Sequence, residues 1–188
     1  MTTVLLTKNA IYADSRATQE TKTGEKFIWD DKTKIHYNKN LNYRFASCGY
    51  SDFVPIIKKW KKIPKYFFTD HIYPTDDKKL KECCGNILGF LNDKICTVDI
   101  KLFARFNNIH LWKNRIRYFS DVGNFEFWVA GSGQDYLCEY ADKIGTIPFI
   151  FEVNKSAQKV FDYVASKDEN SNNIIQVYRG GGSNGLGT

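Results

Sequence analysis

Thr2 is the residue whose position in this sequence gives it chemistry. It follows Met1, and a side chain as small as threonine at position two permits removal of an initiator methionine. Thr2 would then carry a hydroxyl and a free α-amine on one residue. A threonine hydroxyl alone is a poor nucleophile. An adjacent amine with a pKa of about 8 can take its proton, so a single residue supplies nucleophile and general base for acyl transfer. A Met-Thr start alone does not separate a hydrolase from any other chain, so the positioning groups must come from the rest of the sequence.

Other residue types offer less. The five cysteines (Cys48, Cys83, Cys84, Cys96 and Cys138) are an odd number, and the adjacent pair has neither zinc nor redox spacing. Cys48 has no histidine in a motif that would activate it. Three scattered histidines form no ligand pattern, so neither a metal nor a cofactor is expected. The densest basic run, Lys58-Lys59-Trp60-Lys61-Lys62 followed by Lys65, offers phosphate contacts and one stacking ring. Without a nucleic-acid motif it reads as the solvated face of a helix, its lysine stems covering apolar surface.

The elements that must carry Thr2 are strands. Thr2–Thr7 is β-branched and apolar, Lys8-Asn9 is a turn signal, and 10–15 resumes the pattern, which predicts a tight hairpin. Thr23-Gly24 marks a turn before a strand over 26–29, and short strands are expected at 34–37 and 42–48. Tyr50, Phe53, Val54, Ile57 and Trp60 then fall at helical spacing, with Ser51 as a cap and Pro55 in the first turn, where proline is tolerated. A second helix is expected over 76–84, its end blurred by Gly85 and Gly89. Strands return at 96–105, 108–112, 115–119 and 125–129. Gly131-Ser132-Gly133 turns the chain into a helix over 134–142. Val153, Ala157, Val160, Phe161 and Val164 trace an amphipathic helix, and a last strand covers 173–179. Segregated runs of strands and helices indicate an α+β fold, and two helical blocks suggest layers on both sides of a sheet pair.

Thr2-Thr3-Val4-Leu5-Leu6, the short hairpin and Ala13-Asp14-Ser15-Arg16-Ala17-Thr18 resemble the opening of proteasome β-type subunits and their bacterial relatives. These are N-terminal-nucleophile hydrolases of the threonine peptidase kind. Three later blocks extend the resemblance in family order. Phe45-Ala46-Ser47-Cys48-Gly49 resembles the strand end that forms the oxyanion hole, Gly131-Ser132-Gly133 the family's G-S-G turn, and Asp168-Glu169-Asn170-Ser171 its D-x-x-S before the last strand.

The resemblance implies a four-layer αββα sandwich, two antiparallel sheets flanked by helices, over 1–179; the glycine content of 180–188 marks that stretch as a flexible tail. It implies that Thr2 is the nucleophile and that Lys34, held by Asp14, lowers the pKa of both Thr2 groups. Arg16 takes the place of the family's arginine. Lys34 follows Asp14 at a spacing slightly longer than the family's, offset by a shorter first hairpin. A backbone N–H of Ser47, Cys48 or Gly49 would face the oxyanion. Ser132, Asp168 and Ser171 would orient the amine. Ala17 and Ala46 would line a roomy, apolar specificity pocket. The implied partners are unfolded polypeptide substrates, further copies in a homo-oligomeric ring and an ATPase that delivers substrate. The alternative is a catalytically silent packing block of a bacterial or phage assembly, a virion included, that retains Met1.

Composition sets the outer limits. The 188 residues suit one domain that buries roughly 70% of its unfolded surface, so no disulfide or metal is needed for a core. No apolar run approaches the roughly 20 residues of a membrane span, and the polar start is no signal peptide. A cytoplasmic location, in a bacterial or phage-infected cell, is therefore the expectation. The net charge of +6 permits nucleic-acid binding without indicating it.

Overall fold

The computed structural model describes residues 2–21, 23–49, 53–62, 67–69, 84–106, 109–119 and 126–180. Its first two strands, β1 (Thr3–Thr7) and β2 (Ala10–Asp14), are buried along their whole length. Such strands need cover on both faces. Leu5 and Tyr12 point one way, into a core with Leu137, Phe149, Phe161 and Val164. Val4, Leu6, Ile11 and Ala13 point the other way, into a core with Ala46, Leu88, Phe90 and Ile95. The two-residue side-chain period of a strand thus divides one apolar run between two cores.

The chain continues through β3 (Ala17–Glu20), β4 (Lys26–Trp29), β5 (Ile35–Asn38), β6 (Tyr43–Gly49), α1 (Phe53–Lys58), β7 (Phe67–Thr69), β8 (Cys84–Leu91), β9 (Lys94–Phe106), β10 (Ile109–Phe119), β11 (Phe127–Gly131), α2 (Gln134–Ile144), α3 (Thr146–Lys167) and β12 (Ile175–Arg179). One sheet has the order β11-β1-β2-β12 and the other β5-β6-β8-β9-β10-β7, while β3 and β4 form a separate hairpin. Every pairing is antiparallel. Helices α2 and α3 cover the outer face of the four-stranded sheet through the first core, and the two sheets meet across the second. The described residues therefore form an α+β fold of three layers, helix pair, sheet and sheet, with α1 beside β5.

Antiparallel order sets the location of the site. The start of β1, the end of β2, the end of β11 and the entry to β12 all fall at one end of the four-stranded sheet. The register places Thr3 opposite Gly131 and Asp14 opposite Ile175. Gly131 has φ +104°, and a Cβ there would lie 1.5 Å from the Thr2 carbonyl oxygen. The obstacle is backbone of the neighbouring strand, which cannot rotate away. Gly131→Ala is expected to cost at least about 3 kcal/mol, read as a lowered urea midpoint with an unchanged slope.

Three expectations need correction. Cys84 opens a strand instead of ending a helix; residues 76–83 of the expected helix, and Ser51, its neighbour's expected cap, lie outside the described residues. Gly89 belongs inside β8 because a Cβ there would meet Arg44 O at 2.2 Å and Phe45 Cα at 2.8 Å on adjacent β6. The strands expected at 108–112 and 115–119 are one strand, β10, whose pairing with β9 shifts register between Leu111 and Trp112. Residues 17–20, assigned no structure from sequence, pair with β4. The amphipathic helix at 153–164 is part of the longer α3, which departs from helical geometry at Ser156. Of the tail, Gly180 alone is described.

Candidate active site

Thr2 is 3% exposed, and its hydroxyl donates to the Arg16 carbonyl at 3.4 Å. It lines a cleft of about 880 Å³ together with Lys34, Ala17, Ser47 and Gly49. These residues come from four different strands or their ends, and all five are site residues expected from the sequence. The β5–β6 ladder closes at Ile35 opposite Ala46, so Lys34 and Ser47 stand one residue beyond its last pair.

Behind Thr2 lies a chain of hydrogen bonds whose direction can be read. Ser171 Oγ donates to Asp168 Oδ2 at 2.6 Å and lies 2.5 Å from Thr3 Oγ1. With the Ser171 proton committed to the carboxylate, the Thr3 hydroxyl must donate to Ser171. Thr3 Oγ1 in turn accepts from the Gly133 N–H at 3.1 Å. The relay runs from Gly133 through Thr3 and Ser171 to Asp168, ties the G-S-G turn to the D-x-x-S loop and is mutually polarising. Burial raises the Asp168 pKa. Hydrogen bonding by Ser132, Ser171 and Asn170 outweighs it, so the carboxyl titrates below its ordinary value. Ser132 Oγ is itself buried and completes no hydrogen bond of full geometry. Extending the β1–β11 register by one residue puts it opposite Thr2.

Asp14 is fully buried, and neither carboxylate oxygen completes a hydrogen bond of full geometry, with Lys34 included. Burial raises its pKa to about 7 against the opposing pull of the Thr3 N–H, the Lys34 charge, the Asn172 N–H and the Ser171 hydroxyl. Lys34 is half-buried. Its pKa is lowered by loss of hydration and by the Lys32 charge, while Asp14 and the Cys48 thiol pull it upward. The two residues thus interact through space across the floor of the cleft, each shifted toward its neutral form by burial.

Only the backbone carbonyl of Arg16 meets the Thr2 hydroxyl, and its guanidinium holds the surrounding loops. It grips Asp30 with two nitrogens at 2.6 and 3.0 Å and donates to the Glu169 carbonyl at 2.9 Å. Asn172 completes this junction, donating to Asp30 at 3.0 Å and accepting from the Ser15 N–H at 3.1 Å. Thr3, Asp30 and Asn172 were not assigned from sequence.

Ala46 does not line the pocket. It is fully buried in the inter-sheet core opposite Ile35, and Cys48, two residues on, shares that core. The cleft-facing residues of β6 are Ser47 and Gly49, as the strand period requires. The Cys48 thiol is accordingly turned away from the nucleophile's cleft. Trp60 of the basic run is buried, so its ring is no open stacking platform, while Lys58, Lys59, Lys61 and Lys62 are exposed; Lys65 lies outside the described residues. Among the described residues no three His, Cys, Asp or Glu side chains gather as metal ligands, and no helix is long and apolar enough to cross a membrane.

Two stacked antiparallel sheets, a helix pair on the smaller one and a threonine at the head of the first strand define a proteasome-like fold. Solved structures of BPH from Thiobacillus denitrificans, a bacterial proteasome homologue, share it. One is 17% identical with a TM-score of 0.53 over 95% of this chain and 97% of that one. A second, of BPH in complex with epoxomicin, is 15% identical with a TM-score of 0.52 over 95% and 96%. No family model matches the chain, and no curated protein does.

Proposed function

We propose that the protein is a threonine-type endopeptidase that hydrolyses unfolded polypeptides once processing frees the Thr2 amine. The observation that carries this reading is the convergence of Thr2 and Lys34 on one cleft, with Asp14 buried beneath. Thr2 Oγ attacks the peptide carbonyl and its proton passes to the α-amine of the same residue. The positive charge of Lys34 favours the neutral, basic form of that amine. A backbone N–H along Ser47–Gly49, on the cleft wall, receives the oxyanion, an interaction worth about 3–4 kcal/mol. Ser132 stands where it can orient the amine, backed by Asp168 and Ser171. The same amine then returns its proton to the leaving nitrogen, and water attacks the acyl-threonine to restore the free hydroxyl.

The cleft suits an extended chain. Strand β3 pairs with β4 along one edge, and its residues Ala17 and Gln19 line the cleft, so a polypeptide can lie beside it as an added strand. In this reading the subunit is a four-layer αββα sandwich working in a homo-oligomeric, proteasome-like ring fed by an ATPase.

Intact mass of the protein from its own host, followed by incubation with epoxomicin, tests the proposal. The expected mass corresponds to a chain that begins at Thr2, and epoxomicin should raise its melting temperature by several degrees but leave Thr2→Ala unmoved. A chain that keeps Met1 in its host is the silent packing block and ends the peptidase reading.

A further inference from the structure

Beside the apolar Ala17, Val54 and Pro55, the cleft carries a basic stripe. Lys32, Lys34 and His36 occupy alternate positions on the segment entering β5, and all three line the cleft. Ile35, between two of them, packs against the inter-sheet core and fixes which way the stripe faces. The Lys32 ammonium sits 5.4 Å from the centre of the Trp29 ring, which itself lines the cleft, so its charge is held against the wall. Burial, Lys58 and Lys34 all push His36 down to about 4, which leaves a neutral imidazole able to donate one N–H at neutral pH.

No carboxylate balances these groups among the described lining residues. Asp31, next to Lys32 in sequence, is exposed and does not line the cleft, and Asp30 is gripped by Arg16 and Asn172. Asp14 is sealed below with no exposed surface. A partly enclosed cleft lined by one sign of charge concentrates its field on whatever enters.

We infer that this cleft selects polypeptide segments bearing an acidic side chain, Asp or Glu, seated among Lys32, Lys34 and His36. This rests on the cleft being a polypeptide site, as proposed above. The carboxylate gains charge-assisted hydrogen bonds from the ammonium groups and one from the imidazole. A lysine or arginine side chain in the same place meets like charge.

Binding separates this selectivity from catalysis. Three fluorescent hexapeptides of alanine, with one central Glu, Gln or Lys, are titrated by anisotropy into Thr2→Ala protein, which cannot turn them over. The Glu peptide should bind about 10-fold more tightly than its Gln isostere, and the Lys peptide more weakly than both. High salt should narrow the gap. Lys32→Glu, at an exposed position that leaves the fold intact, should invert the Glu–Lys order. Equal binding of Glu and Gln peptides, or an order unchanged in Lys32→Glu, overturns the inference and leaves the polypeptide cleft standing. Failure of all three peptides to bind removes the polypeptide cleft and the inference with it.

Discussion

Thr2→Ala is expected to lower kcat/KM for peptide hydrolysis by at least about a thousandfold, whereas Thr2→Ser stays within roughly tenfold of the parent. The size of the loss follows from what else the cleft can offer. Cys48, the nearest thiol in sequence, is turned into the inter-sheet core and cannot substitute. Ser47 lines the cleft but has no α-amine of its own to take its proton, since it lies within a strand. Serine at position two keeps both the hydroxyl and the amine, which is why it separates loss of chemistry from loss of shape. Stability should barely change in Thr2→Ala, because the hydroxyl makes only a long 3.4 Å contact with Arg16 O. Steady-state hydrolysis of a fluorogenic peptide and a melting curve of each variant check the two halves. Equal rates in Thr2→Ala and the parent would reject Thr2 as nucleophile whatever the melting curves show.

The strands that carry Thr2 and Asp14 were legible because both are short, apolar and joined by a polar turn. The assignments based on motif spacing also led to Lys34 and to the Asp168–Ser171 loop, which the fold brings to one end of the sheets. Thr3 was not legible. In one dimension it is another β-branched strand residue, and its place in the relay comes from a partner 168 positions away. Asp30 and Asn172 were missed for the same reason, since the junction exists only once the β3–β4 hairpin folds beside the last loop. The error at Ala46 had a local signal. Phe45, Ser47 and Gly49 share a face by the strand period, and Ala46 shares the opposite one with Cys48. Reading that alternation would have moved the pocket wall to Ser47 and the basic stripe across from it. Gly89 misled because a glycine in an apolar run signals a break equally well as it signals a close neighbouring backbone.

Asp14→Asn should separate stability from activity and move them in opposite directions. The buried carboxyl has its pKa raised from 3.8 to about 7, first by loss of hydration, with the Thr3 N–H, Lys34, the Asn172 N–H and Ser171 opposing. Its folded pKa exceeds its unfolded one, so the folded chain holds this proton more tightly. The resulting stability is fully present below about pH 4 and disappears as pH rises through 7. Integrated over that window, the loss is on the order of 4 kcal/mol. Asparagine does not ionise and should escape it. The melting temperature of Asp14→Asn minus that of the parent should therefore grow between pH 5 and pH 8. His36, with its pKa lowered to about 4, destabilises both proteins as pH falls and cancels in the difference. Activity should go the other way. Asp14 is the negative charge that pulls the Lys34 pKa upward against burial. Without it Lys34 is less often charged, the Thr2 amine loses the field that favours its basic form, and kcat should fall by about a hundredfold. A melting-temperature difference that stays flat from pH 5 to 8 would show that the fold does not hold the Asp14 proton. Full activity in Asp14→Asn would show that Lys34 needs no buried counter-charge to act on Thr2.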